Sequence, residues 1–215
     1  SVNNFNTGIR IGSVGPLVDK VQVKIAPDGE ILVKGPNVMM GYYKNEEATK
    51  EVFDAEGWFC TGDIGEFQEG KFLRITDRKK EIFKTSGGKY IVPQAMENRL
   101  KQSRFIEQIL VIGEGEKMPA ALIQPNFEFI EGWIAKKQHP IGANLNDISD
   151  SQIIIERIQK EIDLCNQNFG KWEQIKKFKL TPEIWSIDGG HLTPTMKMKR
   201  KVIKQKYAAQ IEAIY

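Results

Sequence analysis

The sequence predicts an α+β fold, in which an antiparallel β-rich part comes first and a part that combines helices with strands follows. Three observations support this prediction. Apolar and polar residues alternate in the first part, apolar residues recur at helical spacing in the second, and the balance of charge changes between them. The change lies near residue 77, which suggests two structural units.

The distribution of charge also bears on the ligand. Residues 1–77 contain eight Lys or Arg against twelve Asp or Glu, whereas the remainder contains twenty-three against sixteen. This asymmetry suggests that the second unit binds something anionic. The formal net charge of the whole chain is only +3, which argues against a dedicated nucleic-acid-binding protein. We therefore expect no nucleic acid among the partners.

Two hairpins and a short helix are expected in the first part. Val21, Val23 and Ile25 alternate with polar residues, the turn PDGE follows, and ILVKG returns, which is typical of a hairpin with one buried face. A second hairpin is expected around Glu69 and Gly70, between GEFQ and KFLRI. Between the two hairpins, NEEATKEVF predicts a short surface helix.

Helices predominate behind residue 77. Pro93 suits the first position of a helix, and Met96 and Leu100 lie one turn apart behind it. IEQILVIG and MPAALIQP are apolar, β-branched segments of strand length. Residues 138–150 have the most loop-like composition of this part.

Two further helices are expected towards the C-terminus. Ser149 with Gln152 suggests a capping box at the start of the first. The residues expected to be buried on this helix are Ile155, Ile158, Ile162 and Phe169. The apolar stripe expected on the last helix consists of Ile203, Tyr207, Ile211 and Ile214.

Neither a metal site nor a membrane span is expected. Cys60 and Cys165 lie far apart in sequence, and His139 and His191 are isolated, so no metal-ligand spacing is present. Two free thiols suit a reducing compartment, and no apolar run approaches the ~18 residues of a membrane span. These observations predict a cytoplasmic protein, for which peripheral contact with a membrane stays open.

Two motifs each allow a structural and a functional interpretation. Asp63 in TGDIG is either an exposed turn carboxylate or an acceptor for both hydroxyls of a ribose. LTPTMKMKRKVI, residues 192–203, is a solvated basic flank, a membrane-surface segment, or the source of a lysine that reaches a phosphate. Spacing alone does not separate these interpretations.

Three sequence blocks form a specific signal when they occur in this order, although each block alone is a weak signal. They are GEILVKGPNVMMGYYKNEEATKEVFDAEGWFCTGDIGEF, ITDRKKEIFKTSGGKYIVPQAMENRL and LTPTMKMKRKVI. Together they resemble the adenylate-forming superfamily of acyl-CoA synthetases, luciferases and peptide-synthetase adenylation domains, and within it the long-chain fatty-acid–CoA ligases. The family's phosphate-binding loop, its Tyr-Gly-x-Thr-Glu block and its acyl tunnel have no counterpart here. The resemblance therefore implies the C-terminal portion of such an enzyme, inactive by itself.

The resemblance implies a two-step reaction that uses ATP and CoA. A fatty acid and ATP form an acyl-adenylate and pyrophosphate, and the CoA thiol then displaces AMP. The Mg²⁺ site is expected in the missing N-terminal part of the chain, which is also the expected partner of this portion. Residues 1–76 would be the truncated, barrel-like β end of the large domain. Residues 77–215 would be the mobile C-terminal domain, which rotates between the steps about a hinge at 77–80.

By the same resemblance, residues around the linker serve the nucleotide and CoA. Asp63 would bind the ribose hydroxyls with help from Arg78, and Lys89 would lie near the nucleotide phosphates. Lys80 falls at the hinge position. The residues expected along the path of the CoA pantetheine are Lys84, Ser86, Gly87 and Gly88. Glycine has no side chain, so at Gly87 and Gly88 the backbone could lie close to the narrow pantetheine chain.

The lysine that would bridge the carboxylate and the α-phosphate during adenylation is expected to be Lys199, with Lys197 as the alternative. Many relatives have a glycine immediately before this lysine, whereas Met198 occupies that position here, and the Pro–Thr spacing differs by one. A cation there would stabilise the charge that develops at the pentavalent phosphorus.

Two other functions stay open on the sequence. One is an adenylation domain that transfers its acyl group to a carrier protein. The other is a binding module without catalysis, in which residues 78–215 are reused.

Overall fold

The computed structural model describes residues 1–79, 81–142 and 144–215. The chain divides into two compact units, Ser1–Ile82 and Phe83–Tyr215. The elements of the first unit are β1 (Gln22–Ile25), β2 (Glu30–Lys34), α1 (Glu46–Glu51), β3 (Phe59–Gln68) and β4 (Phe72–Arg78).

Both predicted hairpins of the first unit are confirmed. The strands form an antiparallel sheet in the order β1-β2-β3-β4, with Gln22 opposite Lys34 and Gln68 opposite Phe72. The turn between β3 and β4 has φ angles of 52° at Glu69 and 66° at Gly70. Two positive φ angles are typical of the type I′ turn, whose twist matches that of the flanking strands.

The predicted surface helix is also confirmed, as α1. The side chain of Asn45 accepts a hydrogen bond from the backbone N–H of Ala48 at 3.0 Å, and the helix buries none of its residues. Such a cap satisfies one of the N–H groups that have no partner inside the helix. The helix therefore depends on local interactions, which explains why it could be predicted from the sequence alone.

Gly65 lies where three strands approach one another closely. A Cβ at this position would lie 2.4 Å from the carbonyl oxygen of Arg74 on β4 and 2.6 Å from Cδ1 of Ile31 on β2. The pairing of β3 with β4 also shifts in register between Ile64 and Gly65. Glycine is thus required for packing in the TGDIG motif, because any side chain would force the strands apart.

The second unit combines a short hairpin, a larger sheet and helices. Its elements are β5 (Phe83–Lys84), β6 (Tyr90–Ile91), α2 (Pro93–Leu100), β7 (Ile106–Ile112), β8 (Ala120–Pro125), α3 (Phe127–Lys137), α4 (Leu145–Asp150), α5 (Gln152–Asn166), β9 (Lys177–Leu180), α6 (Arg200–Lys206) and α7 (Ala208–Glu212). Pro93 occupies the first turn of α2, and Met96 and Leu100 are buried as predicted.

The sheet of β7, β8 and β9 is buried on both faces. Ile109 and Ile123 belong to the core on one face, together with residues of α2, α3, α4 and α5, whereas Leu110 and Leu122 belong to the core on the other, together with residues of α6. This arrangement explains why β7 and β8 read as continuous apolar segments rather than alternating ones. β9, which pairs in parallel with β8, was not predicted.

The predicted capping box at Ser149 is wrong. Ser149 lies inside α4 and is buried, and the residue at the N-cap of α5 is Ser151, whose side chain makes no capping hydrogen bond. The helix also begins two residues later than a cap at Ser149 implies. Ile154 is fully buried, whereas Ile155 is only partly buried. Part of the segment predicted as loop, residues 138–150, is therefore helical.

The predicted last helix is interrupted at Tyr207, which ends α6 and precedes α7. The predicted stripe is nevertheless largely buried, since Ile203, Tyr207 and Ile214 belong to the core and Ile211 packs against it. The hydroxyl of Tyr207 donates a hydrogen bond to Glu183 at 2.8 Å. We attribute the interruption to this tertiary contact, which local periodicity does not encode.

The predicted domain boundary at 76/77 and the hinge at 77–80 stay predictions. β4 continues through Arg78, and the compact units divide between Ile82 and Phe83. Lys80, the predicted hinge residue, lies outside the described residues. None of the helices in the described ranges is both long enough and apolar enough to span a membrane.

Candidate active-site segments

Asp63 and Arg78 form an ion pair across two neighbouring strands. They lie directly opposite each other on β3 and β4, and Nε of Arg78 is 2.7 Å from Oδ1 of Asp63. The side chain of Asp63 is one-fifth exposed, and that of Arg78 is half exposed. The two residues predicted to serve the ribose are therefore adjacent, and their charged groups reach the surface.

The backbone around Asp63 is held by side chains of the same unit. The hydroxyl of Thr61 donates to the carbonyl of Ile31 at 2.7 Å and accepts the backbone N–H of Asp63 at 3.1 Å. Between them, the N–H of Gly62 donates to Oε1 of Glu30 at 2.9 Å. These bonds hold the backbone of the TGD segment against Glu30 and Ile31 of β2.

Lys79, which lies within the predicted hinge at 77–80, forms a further ion-pair cluster. Its Nζ lies 2.6 Å from Oδ2 of Asp28 and 2.6 Å from Oε2 of Glu30, and its backbone N–H donates to Gly62 O at 2.7 Å. Hydrogen bonds to the two carboxylates raise the pKa of Lys79 above its ordinary value, so the lysine stays charged. The sequence analysis missed this cluster, since Asp28 and Glu30 belong to a turn some fifty residues away, and no local signal marks it.

The residues predicted for the CoA path lie together on the hairpin of β5 and β6. The backbone N–H of Ser86 donates to Glu116 O, and the N–H of Gly115 donates to Lys84 O, both at 2.9 Å. Across the hairpin, the N–H of Thr85 donates to Lys89 O at 2.9 Å. The hairpin is thus bonded to the turn between β7 and β8, which orders it without covering its outer surface.

The lysines of this hairpin lie over exposed aromatic rings. Nζ of Lys84 is 5.5 Å from the ring centre of Tyr90, and Nζ of Lys89 is 5.6 Å from that of Trp172. Both rings are more than half exposed. Contacts of this kind at exposed sites are weak, so both ammonium groups can turn towards an anionic ligand.

The two glycines of the hairpin differ in what the fold requires of them. Gly88 has a φ of 78°, which favours glycine, whereas Gly87 does not have a positive φ. A Cβ at Gly87 would meet no atom closer than 4.0 Å. The fold therefore accepts a side chain at Gly87, and the space above it is open.

Lys197 and Lys199 belong to a short hairpin that we call the lysine hairpin, residues 192–199. Leu192 pairs with Met198, and the N–H of Thr193 donates to Lys197 O at 2.8 Å. Met198 packs against the core, whereas the lysines on either side of it are exposed. In extended chain, side chains two residues apart lie on the same side, so we expect both lysines to have the same general direction.

A polar cluster around the buried His191 lies next to the lysine hairpin and was missed by the sequence analysis. The side chain of His191 is fully buried, and its Nε2 lies 3.1 Å from Nζ of Lys206 and 3.7 Å from Oε1 of Glu183. Tyr207 donates to the same carboxylate and accepts a bond from Nε1 of Trp185 at 3.3 Å. Burial, and then the bond to Glu183, raise the pKa of Tyr207 to about 12, which keeps its hydroxyl a donor.

His191 is expected to make the stability of the second unit depend on pH. Burial lowers the pKa of His191, the nearby Lys206 lowers it further, and Glu183 opposes both. Because the folded pKa lies below the unfolded value, the unfolded chain binds more protons between the two values. The stabilisation is present above the unfolded pKa of about 6.5 and is lost as the pH falls through the folded pKa. We expect the melting temperature to fall between pH 7.5 and 5.5.

Variants of the two histidines test this expectation. The fall should shrink in His191→Gln and persist in His139→Gln, since His139 lies elsewhere and its ring packs against that of Trp133. Thermal unfolding followed by circular dichroism at several pH values provides the measurement. An undiminished fall in His191→Gln would assign the pH dependence to other groups.

Both cysteines are free thiols, Cys60 partly exposed and Cys165 buried. Within the ranges that the structure describes, no group of three or more His, Cys, Asp and Glu side chains could hold a metal ion. The expectation that Mg²⁺ binds in a preceding part of the protein stays a prediction.

The sequence is similar to curated proteins over most or all of its length. Residues 80–215 match the family model described as the AMP-binding enzyme C-terminal domain. A long-chain-fatty-acid–CoA ligase of Mycobacterium tuberculosis is 41% identical over 215 residues, which are 100% of this chain and 36% of that protein. Long-chain-fatty-acid–CoA ligase 1 of Homo sapiens is 36% identical over 191 residues, which are 87% of this chain and 27% of that protein. The chain thus spans about a third of the length of these relatives.

Solved structures share the fold. The adenylation domain of a carboxylic acid reductase from Segniliparus rugosus, in complex with AMP and a co-purified carboxylic acid, matches 93% of this chain and 32% of its own, with a TM-score of 0.75 and 23% identity. The o-succinylbenzoate coenzyme A synthetase from Bacillus subtilis, in complex with its acyl-adenylate intermediate, matches 91% of this chain and 36% of its own, with a TM-score of 0.65 and 24% identity. At these identities the likeness concerns the fold alone, and it confirms the predicted α+β class.

Proposed function

Because the chain belongs to the AMP-binding enzyme C-terminal domain family, we propose that it is the C-terminal part of a long-chain fatty-acid–CoA ligase. The whole enzyme would join a fatty acid to ATP, forming an acyl-adenylate and pyrophosphate. The thiol of CoA would then attack the acyl carbon, forming the thioester and releasing AMP. The identity of 41% over the whole chain to a long-chain-fatty-acid–CoA ligase supports this substrate class.

The Asp63–Arg78 ion pair is the observation on which this proposal chiefly rests. Nε of Arg78 engages one oxygen of Asp63 at 2.7 Å. An ionised carboxylate has about four lone-pair positions, so it can accept the two hydroxyls of a ribose in addition. Arg78 would hold the carboxylate in place through this contact, and the diol of the adenosine would bind there in both steps.

The hairpin of β5 and β6 would present CoA to the acyl-adenylate. Gly87 carries no side chain although the fold accepts one there, which leaves an open strip along the backbone. A narrow pantetheine chain fits such a strip. Ser86 and Gly88 flank the strip, and Lys84 and Lys89 lie on either side with exposed ammonium groups that suit phosphates.

The hinge is proposed at residues 77–80, between residues 1–76 and 77–215. The double ion pair of Lys79 with Asp28 and Glu30 ties that residue to the first unit. A rotation of the second unit would therefore take place behind Lys79, at or after Lys80. Such a rotation would bring the lysine hairpin to the active site of the whole enzyme in the first step and the β5–β6 hairpin in the second.

During adenylation, Lys199 would place a cation between the fatty-acid carboxylate and the α-phosphate. Its charge would stabilise the oxyanions that develop while the carboxylate attacks phosphorus and pyrophosphate leaves. Mg²⁺, bound in another part of the enzyme, would neutralise the other phosphates.

The proposed location is the cytoplasm, which agrees with the two free thiols.

We expect the complete enzyme that carries this chain to release AMP and form acyl-CoA from palmitate, ATP, Mg²⁺ and CoA. The 215-residue chain by itself should release no AMP above the blank, because it contains about a third of the relatives' length. Both reactions are followed by chromatography of nucleotides and acyl-CoA.

Two results would contradict the proposal. Turnover by the chain alone would overturn its assignment as a part that needs a preceding domain. Acyl transfer by the complete enzyme to a carrier protein, with none to CoA, would overturn the ligase and favour the adenylation-domain alternative.

A further inference from the structure

Glu97 and Arg200 form an ion pair in the interior of the second unit. The guanidinium binds both carboxylate oxygens, with 2.9 Å from Nη1 to Oε1 and 2.5 Å from Nη2 to Oε2. The side chain of Glu97 is 3% exposed and that of Arg200 is 18% exposed. A bidentate pair of this kind fixes the relative orientation of its partners as well as their distance.

The same carboxylate also binds a third element. Oε1 of Glu97 accepts the backbone N–H of Val111 at 2.8 Å. Glu97 thus joins α2, on which it lies, to β7 and to the first residue of α6. Burial raises the pKa of Glu97, and Arg200 opposes the rise, so the charge of this carboxylate depends on its partner.

Arg200 comes directly after the lysine hairpin. Lys199 is the N-cap residue of α6, and its backbone N–H donates to His191 O at 2.8 Å. Met198, the residue before Lys199, packs against the core. The segment is therefore held at three consecutive residues, and the side chain of Arg200 binds the buried carboxylate of Glu97.

We propose that Glu97 is a positioning residue for the adenylation lysine. This inference rests on the proposed function. Glu97 touches neither nucleotide nor fatty acid; it binds Arg200, and Arg200 determines where the lysine hairpin leaves the body of the unit. A flexible lysine can reach one phosphorus in the required geometry only if its own backbone is fixed, and a displacement of about 1 Å can cost about 10²-fold in rate.

The variant Glu97→Gln tests the proposal in the complete enzyme. The amide oxygen of glutamine can still accept the N–H of Val111 and Nη1 of Arg200. Its NH₂ group cannot accept from Nη2 of Arg200, and the negative charge of the pair is lost. We expect kcat for pyrophosphate release without CoA to fall about 10–100-fold, with little change in KM for ATP. Acyl-CoA formation from synthetic acyl-adenylate should be nearly unchanged. Amide exchange should quicken in the lysine hairpin and stay slow at Val111.

Two controls separate positioning from general destabilisation. Ile130→Val removes a methylene from a fully buried residue of α3 and leaves the ion pair intact; both half-reactions should keep their rates. In the double variant Glu97→Gln with Arg200→Gln, adenylation should be no slower than in the slower single variant, since the two residues act as one pair.

The outcomes distinguish this inference from the proposed function. Equal slowing of both half-reactions by Glu97→Gln, or unchanged exchange in the lysine hairpin, would overturn the positioning role. If the unmutated enzyme formed no acyl-adenylate, the proposed function would fail. The exchange measurement would still decide whether Glu97 orders the lysine hairpin.

Discussion

Lys199→Ala is expected to slow acyl-adenylate formation by the complete enzyme on the order of 10²–10³-fold. The change would remove the cation that we propose is directed at the charge developing around the α-phosphate, and an effect of this size is typical of losing one such group. Thioester formation from synthetic acyl-adenylate should be nearly unchanged, because the lysine hairpin would have rotated away by that step. The measurements are pyrophosphate release without CoA and acyl-CoA formation from the adenylate.

Lys197→Ala and Lys201→Ala are the matched comparisons. Lys197 is exposed on the same hairpin and is expected to have the same general direction as Lys199, since Met198 between them packs inwards. Lys201 is exposed on α6 and should be replaceable without a selective defect. An adenylation defect in Lys197→Ala alone would keep the proposed function and transfer the role to Lys197. Equal slowing of both steps by Lys199→Ala would make that lysine structural.

Asp63→Ala is expected to weaken the binding of AMP to the complete enzyme by about 100-fold or more. Two hydrogen bonds from ribose hydroxyls to a charged carboxylate contribute on the order of 1.5–3 kcal/mol each. The loss also leaves Arg78 without the partner that now lies 2.7 Å away. Asp63→Asn, which keeps one acceptor oxygen, should lie between the wild type and the alanine variant. Isothermal titration calorimetry with AMP provides the measurement.

Glu66→Ala is a closely matched control for this prediction. Glu66 lies on the same strand as Asp63, and its carboxylate pairs across the hairpin with Arg74 at 3.5 Å, just as Asp63 pairs with Arg78. Surface pairs of this kind contribute little to stability. The affinity for AMP should therefore be unchanged in Glu66→Ala. Similar losses in the two variants would show that the strand pairing matters and that the ribose is bound elsewhere.

The sequence by itself determined the elements whose signal is local. The first hairpin followed from its alternation and its turn, α1 from its polar composition, and α2 from Pro93 with Met96 and Leu100 behind it. β7 and β8 could be predicted as strands because their apolar runs are short and contain β-branched residues, two features that favour a strand over a buried helix. The family followed from the order of three sequence blocks, and the match over residues 80–215 confirms it.

The tertiary structure alone decided the interactions between distant parts of the chain. Glu97 and Arg200 are separated by 103 residues, Lys79 and Glu30 by 49, and β9 pairs with β8 across three intervening helices. Local periodicity cannot encode such pairs, because each partner looks like an ordinary surface charge or a short strand until the chain has folded. The misplaced cap at Ser149 has the same origin: packing buried that hydroxyl inside α4, and the helix boundary moved to Ser151. Propensity sets which elements form, and long-range packing sets where they end and which side chains meet.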